Sequence, residues 1–129
     1  MRQVELISAA LSRLLKRKND DAFVIIEDSS SGKFVQFAVN AFQEIIFDLP
    51  FQALDPMERT RATALLRISG ITFEEWDLQE EPGGAYAGKQ RGFGKNYGGQ
   101  TELAAELAWK IFTEVYALKE PITLIFEEN

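Results

Sequence analysis

Gly83-Gly-Ala-Tyr-Ala-Gly88-Lys89 has the spacing that opens a phosphate-binding loop, G-x-x-x-x-G-K. That chemistry needs a nest of backbone N–H groups for phosphates, a lysine for the terminal phosphates and a hydroxyl for magnesium. Gln90 stands where the hydroxyl belongs, and Arg91-Gly-Phe-Gly94 does not open a helix. The match therefore reads as a coincidence within a glycine-rich run. Seven of the nine glycines lie between Pro82 and Gln100, which marks this segment as a long loop with its own role or its own freedom. Tyr86, Phe93 and Tyr97 alternate there with Lys89, Arg91 and Lys95. Aromatic rings can stack bases while cations hold phosphates, so a nucleic-acid or nucleotide binder built on residues 82–100 is the alternative reading. The preferred one docks Phe93 and Tyr97 on a sheet and leaves the cations in solvent, opposite acids at 74–81.

Acids form the other candidate chemistry. Glu74, Glu75, Asp77, Glu80 and Glu81 crowd one stretch. Their spacing matches no cation loop, and a charged sheet edge that resists aggregation explains them better. Glu27, Asp28, Glu44 and Asp48 could do acid–base work if burial raised one of their pKa values. Glu44 and Asp48 share a parity, which more often marks a solvent face than a pocket.

The chain contains neither cysteine nor histidine. Disulfides, thiolate nucleophiles and Ser-His or Cys-His arrangements are excluded, and the commonest metal ligands are missing. No catalytic residue, cofactor or metal is expected. The net charge of -6 disfavours a nucleic-acid backbone as partner. Residues 1–18 do not read as a signal peptide, since Glu5 interrupts the apolar part and Lys16-Arg-Lys18 follows it. No apolar run approaches the roughly 20 residues that span a bilayer. A soluble cytoplasmic protein with no membrane partner is the expectation.

The elements that must carry these residues follow from periodicity. Val4, Ile7, Leu11, Leu14 and Leu15 share one face of a helix over 2–17. Ala22–Leu49 reads as three strands: Phe23–Glu27, Lys33–Val39 and Gln43–Leu49. Asp28-Ser-Ser-Ser-Gly32 and a short Asn40-Ala41 turn join them into an antiparallel meander. Asp55-Pro-Met-Glu58 approximates a capping box, opening a helix that runs to Ser69 and stops at Gly70. A strand of imperfect phase follows over Ile71–Glu80. Arg91–Tyr97 alternates with glycines and could pair with it. Thr101 caps a helix to Ala117, and Ile122–Phe126 is a final strand. The sum is one α+β domain over residues 1–129: an antiparallel sheet with about three helices packed on it. On the second strand Val35, Phe37 and Val39 take one face and Phe34, Gln36 and Ala38 the other. Both faces carry an aromatic, so the side away from the helices is the first place to look for a partner or a dimer contact.

Three local matches point to a family. Phe34-Val-Gln-Phe37, the preceding Phe23-Val-Ile-Ile26 and the late Leu107-Ala-x-x-Ile-Phe-x-Glu-Val-Tyr116 resemble TY-Chap domains. That bacterial group is related to YbjN and to the type III secretion chaperones, and the similarity runs over nearly the whole chain. Members tend to carry a Gly-Trp pair after the middle helix, whereas Gly70 and Trp76 are separated here, and the glycine-rich segment is longer. The resemblance implies a non-enzymatic, chaperone-like or adaptor domain. It would bind a partner protein or peptide through a sheet face, edge or groove, with a homodimer as one form. Phe34, Gln36, Tyr86, Arg91, Phe93 and Tyr97 are the residues expected to meet the partner.

Overall fold

The computed structural model describes residues 2–17, 21–71, 73–78 and 88–129, with 73–78 and 88–91 described by their backbone alone. Helix α1 (Gln3–Leu15) leads into strands β1 (Phe23–Asp28), β2 (Phe34–Val39) and β3 (Ile45–Pro50). A 3-10 turn (Phe51–Ala53), α2 (Pro56–Ile68), β4 (Phe73–Leu78), β5 (Gly88–Gly98), α3 (Thr101–Lys110) and β6 (Leu124–Glu128) complete the chain. The strands make one sheet in the order β4-β5-β3-β2-β1-β6. Every pairing in it is antiparallel. The α+β class and the N-terminal meander are as the pattern predicts.

Strict alternation within β1, β2 and β3 gives the sheet two different faces. Val24, Ile26, Val35, Phe37, Val39, Ile45, Phe47 and Leu49 point one way and are buried. They share a single core with Ile7, Leu11 and Leu14 of α1, Ala62 and Leu66 of α2, and Ala104, Leu107 and Ala108 of α3. All three helices therefore lie on that face. Phe37 and Phe47, opposite each other in register, stack at 5.7 Å between ring centres near the middle of the core. None of the helices is long and apolar enough to cross a membrane, among the described residues.

Local chemistry explains the joints. In the β1–β2 turn the Asp28 carboxylate accepts from the Ser31 backbone N–H at 2.9 Å and its hydroxyl at 2.7 Å, and Gly32 adopts φ 74. The second turn is longer than the two residues expected. Asn40 Oδ1 accepts from the Phe42 and Glu44 N–H groups, both at 3.0 Å, and Gln43 turns the chain at φ 59. The Asn40 side chain thus adds to the backbone bonds of a wider turn, Gln43 N–H to the Asn40 carbonyl at 3.0 Å and Asn40 N–H to the Glu44 carbonyl at 3.1 Å, and β3 begins two residues late. The capping box of α2 is complete: Glu58 N–H donates to Asp55 Oδ1 at 2.8 Å and Asp55 N–H to Glu58 Oε1 at 2.9 Å. Past Lys110, α3 widens into a π-helical turn (Ile111–Val115) that keeps Ile111, Phe112 and Val115 buried.

The strand offered over Arg91–Tyr97 is present and pairs with β4, but it is longer and takes up Gly88–Gly98 of the expected loop. β5 lies between β3 and β4, and Gly92 sits opposite both Pro50 and Glu74. A Cβ on Gly92 would come within 2.8 Å of the Leu49 carbonyl oxygen, so only glycine lets β3 and β5 approach this closely here. Gly88 and Lys89 open this strand, not a helix. That removes the helix N-terminus on which a phosphate-binding loop depends. The register also sets Asp77 opposite Lys89 and Glu75 opposite Arg91.

Candidate functional site

The face of the sheet turned away from the helices is the candidate site. Register places Phe23 beside Ala38, Ile25 beside Gln36 and Glu127, Glu27 beside Phe34 and Ile125, Ile46 beside Ala38 and Asn96, and Asp48 beside Gln36 and Gly94. None of these residues is buried as the core is, and no helix lies over them among the described residues. Phe23 is 36% exposed and Ile125 51%. A depression of about 280 Å³ opens there, lined by Phe23, Gln36, Ala38 and Asp48. On its β5 side Gly94 brings no side chain, which lowers that flank.

The polar groups of this face are acidic. Gln36 Nε2 donates to Asp48 Oδ2 at 2.5 Å. Burial pushes the Asp48 carboxyl above its ordinary value, and the Gln36 hydrogen bond offsets only part of that. The side chains of Glu27 and Glu127 form no hydrogen bond or ion pair among the described residues. At the rim, Glu44 is held below its usual range by hydrogen bonds from Asn40 and then Asn96. Glu44 and Asp48 do share a face, but neither is paired as an acid with a base. Among the described residues no three acidic side chains gather closely enough to hold an ion.

The expected partner residues separate into groups. Phe34 and Gln36 lie on the open face. Phe93 and Tyr97 require a correction: they are 1% and 7% exposed, on the helix side of β5. The glycines alternating with Phe93 take the open side, so the rings have no route to a partner's surface. Burial pushes the Tyr97 hydroxyl up to about 12, and Lys95 Nζ rests 5.0 Å from its ring centre. The Arg91 side chain and all of Tyr86 lie outside the described residues. The periodicity did not single out Phe23, Ile25, Ile46 and Ile125, although they share parity or register with Gln36 and could have been found from it.

A second group of polar residues lies beneath the helices. Glu58, 3% exposed, holds Lys33 Nζ at 3.1 Å. Tyr116 donates its hydroxyl proton to the Phe34 carbonyl oxygen at 2.6 Å, and Lys33 Nζ sits 5.7 Å from its ring centre. Burial, with the Glu58 charge adding to it, raises the Tyr116 hydroxyl well above its ordinary range. Each polar group here is satisfied by a neighbour, and the cluster ties β2, α2 and the end of α3 together. It has the makings of a structural latch rather than of a reactive centre.

Comparison of the chain with family models, with curated proteins and with solved structures finds no match in any of the three.

Proposed function

We propose that this chain is a non-enzymatic, chaperone-like or adaptor domain that binds a partner polypeptide on the open face of its sheet. One observation carries this reading: Phe23, Ile25, Phe34, Ala38, Ile46 and Ile125 share this face, interleaved with Glu27, Gln36, Asp48 and Glu127, with a depression beside Phe23 and Ala38 and no helix above them among the described residues. An antiparallel sheet packed on its core by one face commonly turns a polar face to water, so large apolar residues on that free face mark a surface for a partner. The resemblance of Phe34-Val-Gln-Phe37 and its neighbours to TY-Chap domains supports the same role. The glycine-rich segment supports a nucleic-acid role less well, because Lys89 and Arg91 each stand opposite an acid in register.

The test is a fluorescence-anisotropy screen of short synthetic peptides of apolar, basic, acidic and mixed composition. Each is measured against the wild-type chain and against Ile46→Asp, which puts a charge at the centre of the face without touching the core. Binders to the wild type that lose at least about tenfold in affinity to Ile46→Asp support the reading. The absence of any binder, or binders indifferent to that substitution, overturns it.

A further inference from the structure

The charges on the open face say more about its occupant than its apolar residues do. Three carboxylates, Glu27, Asp48 and Glu127, project from its strands and a fourth, Glu44, lies at the rim, while no lysine or arginine projects from it among the described side chains. The described cations on or beside these strands, Lys33 and Lys95, are turned elsewhere. Lys33 goes under the sheet to Glu58, and Lys95 goes to the ring of Tyr97 on the helix side. Glu128, next to Glu127 but on the other face, has Arg13 of α1 at 2.9 Å. Alternation thus sorts acids with partners to the helix side and acids without cationic partners to the open side.

The backbone constrains the shape of the occupant. Within the sheet the N–H and C=O groups of β1, β2 and β3 are already paired with their neighbours. The face therefore offers side chains only, and whatever lies on it must satisfy its own backbone bonds. An α-helix does so by itself, and a helix on the free face would take its apolar residues out of water. Crossing from β6 to β5 spans four strand spacings, roughly 19 Å. That is the length of a helix of about 13 residues. Gly94 on the β5 flank leaves room for its backbone to come close.

We infer that the open face receives an amphipathic, cationic helix of a partner protein, whose apolar stripe covers Phe23, Ala38 and Ile46 and whose lysines or arginines meet Glu27, Asp48 and Glu127. This rests on the reading of the face as a polypeptide-binding surface and names the chemistry of its partner. A neutral or acidic occupant would take water from three carboxylates and give nothing back, at a cost that pairing with cations removes. A second copy of this chain related by a two-fold axis would bring the same acidic patch against itself.

The probes are three labelled peptides of about 18 residues, each with leucines at i, i+3, i+4 and i+7 spacing. Their polar positions are all lysine, all glutamine or all glutamate. Each is titrated by fluorescence anisotropy into the wild type, Glu27→Lys/Glu127→Lys, Glu102→Lys/Glu114→Lys and Ile46→Asp. Glu102 and Glu114 are exposed on the helix side, so that double variant has the same net charge as the face variant. The expected result is that the lysine peptide binds at least about tenfold more tightly than the glutamate peptide. It should lose about tenfold or more on the face variant and no more than about threefold on the helix-side variant, with both differences shrinking as salt rises from about 0.05 to about 0.5 M. Equal losses on the two double variants would show attraction to net charge alone and overturn the inference. Glutamine or glutamate peptides binding as well as the lysine peptide, with Ile46→Asp abolishing all three, would overturn the cationic partner while leaving polypeptide binding intact. No binding of any peptide to a wild type that sediments as a monomer would overturn both. A dimer dissociated by Ile46→Asp would assign the face to a second copy and overturn the inference.

Discussion

The two faces of this sheet are made from alternate residues of the same strands, and they have opposite relations to charge and water. On the helix side, Phe37 and Phe47 are sealed in the core, and the acids Glu58 and Glu128 each have a cation at about 3 Å. On the open side, large apolar groups stay partly in water, and Asp48 has an amide for company but no cation among the described residues. The sequence period of two is the same for both. What differs is that three helices lie above one face and, among the described residues, none lies above the other. The helix face shows what a completed layer looks like, and the open face shows one half of a layer that a partner could complete.

The largest effect expected from this contrast concerns adjacent residues of β3. Phe47→Ala removes a fully buried ring stacked on Phe37 and should destabilise the fold by about 3–5 kcal/mol. Ile46→Ala, one residue earlier but on the open face, should cost less than about 1 kcal/mol. Urea unfolding monitored by circular dichroism measures both. Equal losses would mean that the open face is already packed in the free protein, and the comparison would fail.

Glycine spacing in β5 offers a second contrast, of intermediate size. At Gly92 a methyl group would meet the backbone of Leu49 at 2.8 Å and Pro50 Cα at 3.3 Å, neither of which can swing aside. Gly92→Ala should therefore cost about 1–3 kcal/mol. At Gly94 the nearest atom to such a group is the Phe47 carbonyl oxygen at 3.5 Å, an ordinary contact. Gly94→Ala should stay within about 0.5 kcal/mol by the same unfolding measurement. It should still weaken any peptide that approaches the lowered flank of the face, which would separate stability from access.

Much of the helix face was legible in the sequence, because its signals are local. Alternation in β2 separates Val35, Phe37 and Val39 from Phe34, Gln36 and Ala38 without any knowledge of neighbours, and Asp55 with Glu58 announces the start of α2. The unreadable parts depend on contacts distant in sequence. The period of Gly92-Phe-Gly-Lys-Asn-Tyr97 shows a strand but not that it inserts between β3 and β4, which puts Phe93 and Tyr97 inside. The pairing of Lys33 with Glu58 and the bond from Tyr116 to Phe34 join residues whose separation carries no pattern. The open face was half legible. Parity exposes Gln36 and Asp48 as neighbours in kind, but only the register aligns Ile25 with Glu127 and Glu27 with Ile125 and so reveals an acidic, apolar surface that has no cation among the described side chains.

The smallest effect expected is the one that distinguishes the two faces by sign. The Arg13 hydrogen bond, more than its charge at a distance, holds Glu128 below its ordinary value despite some burial. A carboxyl lowered in the folded state binds fewer protons there than in the unfolded chain, so its contribution is present above the unfolded pKa and is lost as pH falls through the folded one. Arg13 is half exposed, and the pair is worth no more than about 1 kcal/mol. Asp48 runs the other way. Burial raises it, so the folded state binds more protons than the unfolded chain, and stability declines as pH rises from the unfolded pKa through the folded one. Glu128→Gln should thus lower the melting temperature at neutral pH and lose that effect in acid. Asp48→Asn keeps an acceptor for Gln36 and should raise the melting temperature at neutral pH, by a stability gain of about 0.5 kcal/mol or less on a face still reached by water. Thermal melts of both variants across the acid range would show the two differences from wild type with opposite signs. An Asp48→Asn variant less stable than wild type at neutral pH would mean that the carboxylate already has a stabilising partner, and the open face would then resemble the covered one in the respect that most separates them.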